Sequence, residues 1–423
     1  MHSHVPSSLA ARSPAKPQAA GPLHGIRIID MTSVLMGPFA TQLLGDMGAD
    51  VIKIEAPGGD ITREIGPMRH AGMGSIFLHA NRNKRSVVLD LKRPEGRDAL
   101  LRLAATADVL VYNVRPQAMR RLQLSYADVA KACPDIVYAG IHGFGQEGRY
   151  ADRPAYDDLI QGACAIPALT LLAGGESPRY APSAMADRIV GLSAVNVILS
   201  ALFHRERTGE GQAIEIPMFE TMAQFVLSDH MGGMSFDPPL GPAGYPRILN
   251  PHRKPYATRD GHLCVLFYTD RHWQAFFELT RQPSLLKDDS RFSTIGARTE
   301  HIHELYALVA RVMTTRTTAE WTEAFEKADI PMMPMHTLDT LLDDPHLDDV
   351  GFFELHEHPT EGRIRSMRTP ARWSKTPPAP QRHAPRLGQH GAEVLREAGY
   401  ADEEVSALLA KSVLQTDSLH ATP

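Results

Sequence analysis

The sequence predicts an α/β protein built on a doubly wound parallel sheet, and three observations carry that prediction. Short apolar runs of strand length alternate with helical patterns along the first third of the chain. The early runs end on a polar residue (Asp30, Glu55 or Asn113) that opens a turn. Strand, helix and strand recur within about 30 residues, the length of a βαβ unit, which joins parallel strands.

The elements follow in order. Ile26, Ile28 and Ile29 form a strand that ends at Asp30. Thr32 to Pro38 is turn-like, and Pro38 suits the first turn of a helix. Phe39, Leu43, Leu44 and Met47 then recur at helical spacing, with Gly45 and Gly48 loosening the end. Val51–Ile54 is a second strand, Ser86–Leu91 a third, Val109–Tyr112 a fourth and Ile136–Ala139 a fifth. Helices are expected at Glu95–Ala105, around Met119–Leu122 and at Tyr126–Ala132. Beyond a long apolar helix at Ile189–Arg205, a turn at Thr208–Gly211 leads into a strand at Ala213–Ile216. Residues 232–260 are rich in Gly and Pro and read as a linker or functional loop. A strand at Leu263–Tyr268 and helices at Arg271–Leu279, Arg298–Thr314 and Ala319–Lys327 make a smaller α/β or α+β domain. Residues 370–385 are Pro-rich and loop-like, and helices at Glu393–Glu397 and Glu403–Lys411 close the chain.

Composition narrows the function. At 423 residues the chain has room for two to three domains of about 150 residues and for a large core without metal or disulfide staples. With 43% hydrophobic and 22% charged residues, wholesale disorder is excluded. A net charge of −5 argues against a general nucleic-acid binder, which needs a basic surface. Cys133, Cys164 and Cys264 lie far apart, so neither a disulfide framework nor a CxxC zinc site is written, and a reducing, cytoplasmic compartment fits. The stretch Ile189–Phe203 is broken by Ser193, Asn196 and Ser200 and reads as a buried helix rather than a membrane span. Residues 1–22 have no apolar period and are expected to be a flexible tail. They lack acids, as a transit peptide does, but show no Arg-rich amphipathic pattern.

Several chemistries drop out. The first strand–helix turn reads Leu35-Met36-Gly37-Pro38-Phe39 rather than GxGxxG. Gly143-Phe144-Gly145-Gln146-Glu147-Gly148 matches that pattern but is not followed by an apolar helix. There is no phosphate-loop GxxxxGK[ST], no HExxH and no GxSxG. His301-Ile302-His303 and His356-Glu357-His358 have no matched metal partners. Two leads remain. Lys84, Arg85, Lys92 and Arg93 flank the third strand, and Asn113, Arg115, Arg120 and Arg121 follow the fourth; they are either anion ligands or solvated surface charge. The second lead is carboxylates: Asp157, Asp158 and Asp187, the last directly before the longest apolar helix, each a helix cap or a nucleophile.

At these residues the sequence resembles the class III CoA-transferases, the family of formyl-CoA transferase, carnitine CoA-transferase and the α-methylacyl-CoA racemases. The likeness runs from Gly25 to about Leu414. It rests on Gly25–Asp30, Gly37-Pro38, Gly48–Glu55, Asn83–Ser86, Leu89–Lys92, Asn113–Pro116, Gly143–Gln146, Tyr156-Asp157, Ala186-Asp187 and Thr208–Gln212 in that order. The resemblance implies a homodimer of two interlinked ring-shaped chains. It implies a Rossmann-like, CoA-binding large domain from residues 23–225 and 346–415, with a linker and small domain at 226–345 and a C-terminal tail at 416–423. It further implies an enzyme that moves CoA between an acyl-CoA and a free carboxylic acid, with CoA as substrate, no tightly bound cofactor and no metal.

In the family pattern the nucleophile falls on Asp187. It would form a mixed anhydride with the acyl group and then an aspartyl-CoA thioester. CoA contacts carried over by position are Val34, Leu35, Met36, Leu89, Lys92, Asn113, Val114, Arg115, Arg121, Arg153 and Tyr156, with Lys92 and Arg121 facing phosphates. The chain departs from the formyl-CoA transferases at Leu35-Met36, where they carry Gln-Ala, and at Ala56, where they carry Arg. It also lacks their run of glycines, which points away from oxalate and formate toward a mid-sized acid such as a dicarboxylate. The racemases need His where this chain has Tyr156, and a phenol is a poor base at neutral pH. Racemization, or CoA binding without turnover, is the alternative.

Overall fold

A computed structural model describes residues 21–377 and 382–416. The expected tail at 1–22, except its last two residues, lies outside the described residues, as do residues 417–423 and residues 378–381 of the Pro-rich segment. The chain divides into two compact units. One comprises the residues up to Ile141, Gly191–Glu215 and those from Glu354 onward; the other comprises His142–Val190 and Ile216–Phe353.

The first, larger unit is the expected doubly wound sheet. Its strands are β1 (Arg27–Met31), β2 (Asp50–Glu55), β3 (Lys84–Leu89), β4 (Val109–Tyr112), β5 (Val137–His142) and β6 (Gln212–Pro217). The order across the sheet is β3-β2-β1-β4-β5-β6, and β3, β2, β1, β4 and β5 pair in parallel. Strand order therefore reverses between β1 and β4, and the carboxyl ends of those two strands frame the crevice where such sheets bind ligands. Ile29, Ile52, Val87, Leu110 and Tyr138 pack with Leu100, Leu103, Val394, Leu395, Val405 and Leu408 from helices Pro94–Ala104, Gly391–Glu397 and Asp402–Ala410.

The second unit holds a small antiparallel sheet of β7 (Tyr256–Ala257), β8 (His262–Val265) and β9 (Met332–Pro334). Its core is aromatic: Phe267, Trp273, Phe276, Phe277, Trp321 and Phe325 gather from β8's end and helices Asp270–Leu279 and Thr318–Lys327. The helix expected at Arg298–Thr314 is two helices, Ile295–Glu300 and Ile302–Met313. The larger unit is completed by β10 (Phe353–His358), β11 (Gly362–Met367) and β12 (Leu414–Gln415), the last adding antiparallel to β3.

Two elements differ from expectation for physical reasons. β3 starts two residues earlier than the apolar run, because Lys84 and Arg85 are internal residues whose charges are paired inside the protein. The long helix spans Met185–Thr208 rather than Ile189–Arg205, taking up Asp187, Arg188 and Arg207 as polar end turns. Its length and composition would also suit a membrane span. Ala186, Val190, Ala194 and Ile198, at near-helical spacing, are fully buried, so this stripe of the helix serves the protein core.

Candidate active site

The turn after β1 is held from three sides. Ser33 and Asn113 exchange hydrogen bonds across the crevice: the Ser33 N–H donates to Asn113 Oδ1 at 3.0 Å, and Asn113 Nδ2 donates to the Ser33 carbonyl at 2.9 Å. The Thr32 N–H and hydroxyl both donate to Asp30 Oδ1, at 2.9 and 2.5 Å. The Val34 N–H donates to Asp60 Oδ1 at 3.2 Å. Val34 sits at φ 70°, a left-handed conformation that a β-branched residue adopts at a cost of roughly 1–3 kcal/mol. Helix Met36–Asp46 starts directly after. Gly37 is obligatory there, since a Cβ would come within 2.3 Å of Thr32 Cβ. Gly191, on the long helix, likewise has no room for a Cβ, which would sit 3.0 Å from the Met36 carbonyl oxygen.

Beneath this turn lies a lattice of buried charge. Lys84 Nζ, with no exposed surface, donates to Asp30 Oδ2 at 3.0 Å, to the Pro38 carbonyl at 2.8 Å and to Asn81 at 2.9 Å. Lys53 Nζ, equally buried, donates to the Thr32 carbonyl and to Asp60 Oδ2, both at 2.9 Å. Arg63 grips Glu55 with two hydrogen bonds of 2.7 and 2.8 Å, and Arg85 binds Asp50 and Glu397. Burial alone would raise the Asp30 pKa. Lys84, Lys53 and the hydroxyls of Thr32 and Thr41 outweigh it and hold that carboxyl at about 2. Lys84 and Arg85 are thus neither anion ligands nor solvated charge, and their work is to fix the turn. The clue in the sequence was a Lys among Val51, Ile52 and Ile54: a lysine in a strand buried on both faces must be paired.

The other expected contacts divide by exposure. Leu35 and Asn113 are half-buried, Met36 is buried, and Val114 packs partly against the core. Arg115 and Arg121 are exposed at the two ends of helix Pro116–Arg121, and Lys92 is exposed beyond β3. Leu89 has no accessible surface and belongs to the core, which leaves Lys92 as the exposed group at that strand end. In the second unit Arg153 is exposed and stacks over Tyr150 at 4.1 Å, and Tyr156 is 64% exposed ahead of helix Asp157–Ala163. The GxGxxG-like stretch after β5 is a loop, with the Gly145 N–H donating to Glu220.

Asp187, half-buried in the first turn of the long helix, has different surroundings. Its carboxylate accepts no hydrogen bond and makes no ion pair among the described residues. Its backbone N–H donates to Asp157 Oδ1 at 2.9 Å. Asp157, not Asp187, therefore caps that helix end. The other Asp157 oxygen accepts from Gln161 Nε2 at 2.5 Å, and Gln161 Oε1 in turn accepts from the Ala181 N–H at 2.8 Å. Burial pushes the Asp187 carboxyl up to about 6; the like charge of Asp157 adds to this, and Arg188 opposes it. The arrangement is an ionisable, unshielded carboxylate on a rigid helix end. Among the described residues no three His, Cys, Asp or Glu side chains come together as a metal site.

The larger unit thus offers a switch-point crevice and the second unit an unpaired carboxylate, and comparison with known proteins gives the class. The model of CoA-transferase family III matches residues 23–391. The chain is 34% identical over 394 residues to a succinate–glutarate CoA-transferase of Agrobacterium fabrum, covering 90% of this chain and 96% of that one. It is 31% identical over 406 residues to the human succinyl-CoA:glutarate CoA-transferase, covering 94% and 91%. The crystal structure of a CAIB/BAIF family protein from Brucella suis superposes with a TM-score of 0.74 at 30% identity, covering 90% of this chain and all of that one. The chain belongs to CoA-transferase family III. It is an enzyme that transfers CoA, with CoA thioesters as its substrates.

Proposed function

We propose that the protein exchanges CoA between a short dicarboxylic acyl-CoA and a free dicarboxylate, with Asp187 as the nucleophile. The observation that carries this reading is the Asp187 carboxylate, half-buried yet without a donor. A hydrogen-bonded or paired carboxylate would have to shed its partners before attacking; this one does not. The dicarboxylate class is supported by the relatives named for succinate and glutarate.

In this mechanism an Asp187 oxygen attacks the thioester carbonyl, the C–S bond breaks, and CoA leaves as thiolate beside an aspartyl–acyl anhydride. The thiolate attacks the aspartyl carbonyl, releasing the donor acid and leaving an aspartyl-CoA thioester. The acceptor carboxylate attacks that thioester to re-form an anhydride and a thiolate. Attack of the thiolate on the acceptor's acyl carbon yields the new acyl-CoA and restores Asp187. Each hard exchange is thereby split into easier acyl transfers. The turn Val34–Met36 and residues Asn113–Arg115 hold the nucleotide end of CoA, with Lys92 and Arg121 toward its phosphates.

The working form is an interlinked homodimer, with residues 23–225 and 346–415 as the CoA-binding part and 226–345 as linker and small domain. Exposed apolar residues support association: Leu192 is 51% and Phe203 63% exposed on the long helix, and Leu338 is 84% exposed. The three free cysteines fit a reducing compartment such as the cytoplasm. Incubation with succinyl-CoA and a panel of free acids, with new thioesters followed by mass, tests the activity. Transfer only to monocarboxylates would overturn the substrate class, and a folded species of single-chain mass in light scattering would overturn the dimer.

A further inference from the structure

The motif His356-Glu357-His358 has no place in CoA transfer, and its two histidines do different work. His358 is buried and spent on the backbone: Nε2 donates to the Ala384 carbonyl at 3.1 Å, and Nδ1 accepts from the N–H groups of Thr360 and Glu361, both at 3.2 Å. His356 instead lines a partly open cavity of about 160 Å³ in the larger unit. The residues around it include three arginines (Arg82, Arg365, Arg382), three histidines (His79, His356, His383) and Ser366, and among the described residues no Asp or Glu lines it.

Two buried polar atoms in these walls, Ser366 Oγ and His356 Nε2, have no hydrogen-bond partner. His356 Nε2 nevertheless faces the Glu354 carboxylate at 3.3 Å, an ion pair when the imidazole is protonated, so Ser366 Oγ is the unengaged group. Arg82 is already engaged, with Nε and Nη2 on Asp46 at 2.8 and 2.6 Å and Nη1 on the Met367 carbonyl, so it contributes charge rather than a vacant donor. Arg382 is only loosely paired, with Glu393 at 4.0 Å. Imidazoles alone would suit a metal, but three permanently charged guanidiniums repel a cation. They favour an anion, which Arg binds through paired N–H groups and which Ser and His can complete with one donor each.

We propose that this cavity is a binding site for a tetrahedral oxyanion of the phosphate class, separate from the CoA crevice. Its volume of about 160 Å³ is enough for one such ion. Arg82 enters just before β3, at the amino edge of the sheet, whereas the turn Thr32–Met36 and Asn113 follow the carboxyl ends of β1 and β4. A bound ion would tie the β10–β11 hairpin to helix Ser75–Ala80 and to the segment 382–384, and so regulate the rigidity of the larger unit.

Inorganic phosphate, titrated into the full-length protein in chloride buffer and followed by calorimetry, tests this. The expected result is saturable binding of one ion per chain, competed by sulfate and unaffected by saturating CoA. Ser366→Ala and Arg382→Gln should each weaken phosphate roughly tenfold or more, with the KM for acyl-CoA unchanged. Ser366→Ala removes only a hydroxyl that bonds to nothing, so it serves even if Arg382→Gln fails to fold. Absence of saturable heat, displacement of phosphate by CoA, or unchanged affinity in Ser366→Ala would overturn the proposal.

Discussion

Asp30 and Asp187 are the same residue type, both taken out of bulk water, and their carboxyls move in opposite directions. Asp30 lies under the crevice of the larger unit, accepts from Thr32, Thr41 and Lys84, and is held at about 2. Asp187, in the second unit, has no donor and a second carboxylate for company, and is pushed up to about 6. Burial raises a carboxyl pKa in both places, so the partners decide the sign. A carboxylate surrounded by donors is structural, because its lone pairs are committed. One left without donors keeps its lone pairs for a reacting carbonyl.

The comparison breaks most directly at Asp187. Asp187→Asn keeps the shape and removes the oxygen anion proposed to attack, so transfer should fall by roughly a thousandfold or more while the dissociation constant for CoA changes little. Wild type incubated with acyl-CoA alone should carry a hydroxylamine-sensitive adduct at this residue. A carboxyl with a raised folded pKa is disfavoured when ionised, so Asp187→Asn should melt no lower than wild type at pH 7 to 8. A large loss of stability with proportionate loss of activity would reassign Asp187 to structure.

Asp30 should give the opposite pattern. Asp30→Asn leaves the Lys84 ammonium buried without its nearest counter-charge, which costs about 3–5 kcal/mol of stability, read from the urea midpoint. For the wild type the sign follows from a depressed folded pKa: the contribution is complete above the ordinary value of 3.8 and is lost as pH falls toward 2. Should the variant be as stable as wild type but inactive, the lattice would belong to catalysis instead.

The sheet was legible in the sequence because a parallel strand is nearly all apolar and its helix is not. β4 falls at Val109–Tyr112 as expected, and the parallel pairing follows from the βαβ repeat, though the order of the strands does not. Where charge enters a strand, the hydrophobic pattern misleads. Lys84 and Arg85 read as flanking residues because nothing in the local pattern reveals Asp30, Asp50 and Glu397, which are 54, 35 and 312 residues away. The helices Asp157–Ala163 and Met218–His230 and the hairpin β10–β11 were not read at all. Asp157–Ala163 buries only Ile160 and Gln161, whereas Met218–His230 buries Met218, Met222, Val226 and His230 at helical spacing and β11 alternates strictly, so those two did carry a local signal. Asp187 was visible as a carboxylate before a long helix, but the capping by Asp157 depends on a contact across 30 residues that spacing does not encode.

A smaller effect should come from Arg121, exposed at the end of its helix with no ion pair among the described residues. Arg121→Ala should weaken CoA by about 1.5–3 kcal/mol through loss of a charge-assisted phosphate contact, leaving the melting temperature in place. An unchanged dissociation constant would make Arg121 surface charge only.

The smallest expected effect is the most discriminating. If Asp187 must be ionised to attack, log kcat/KM should fall with unit slope below about pH 6 and level off above it. Asp157→Asn removes the like charge while its amide oxygen can still accept the Asp187 N–H, so the long helix keeps its cap. The midpoint of the acid limb should then move to lower pH. It should stay above 3.8, because burial is the larger cause and the variant leaves burial untouched. The cost lies elsewhere: the new amide NH2 faces Gln161 Nε2, and turning Gln161 over would take its oxygen from the Ala181 N–H, at about 1 kcal/mol. A limb that stays at its wild-type pH while the rate drops would mean that Asp157 acts only by holding the helix end. A limb that moves upward would mean that another group, not Asp187, titrates in the reaction.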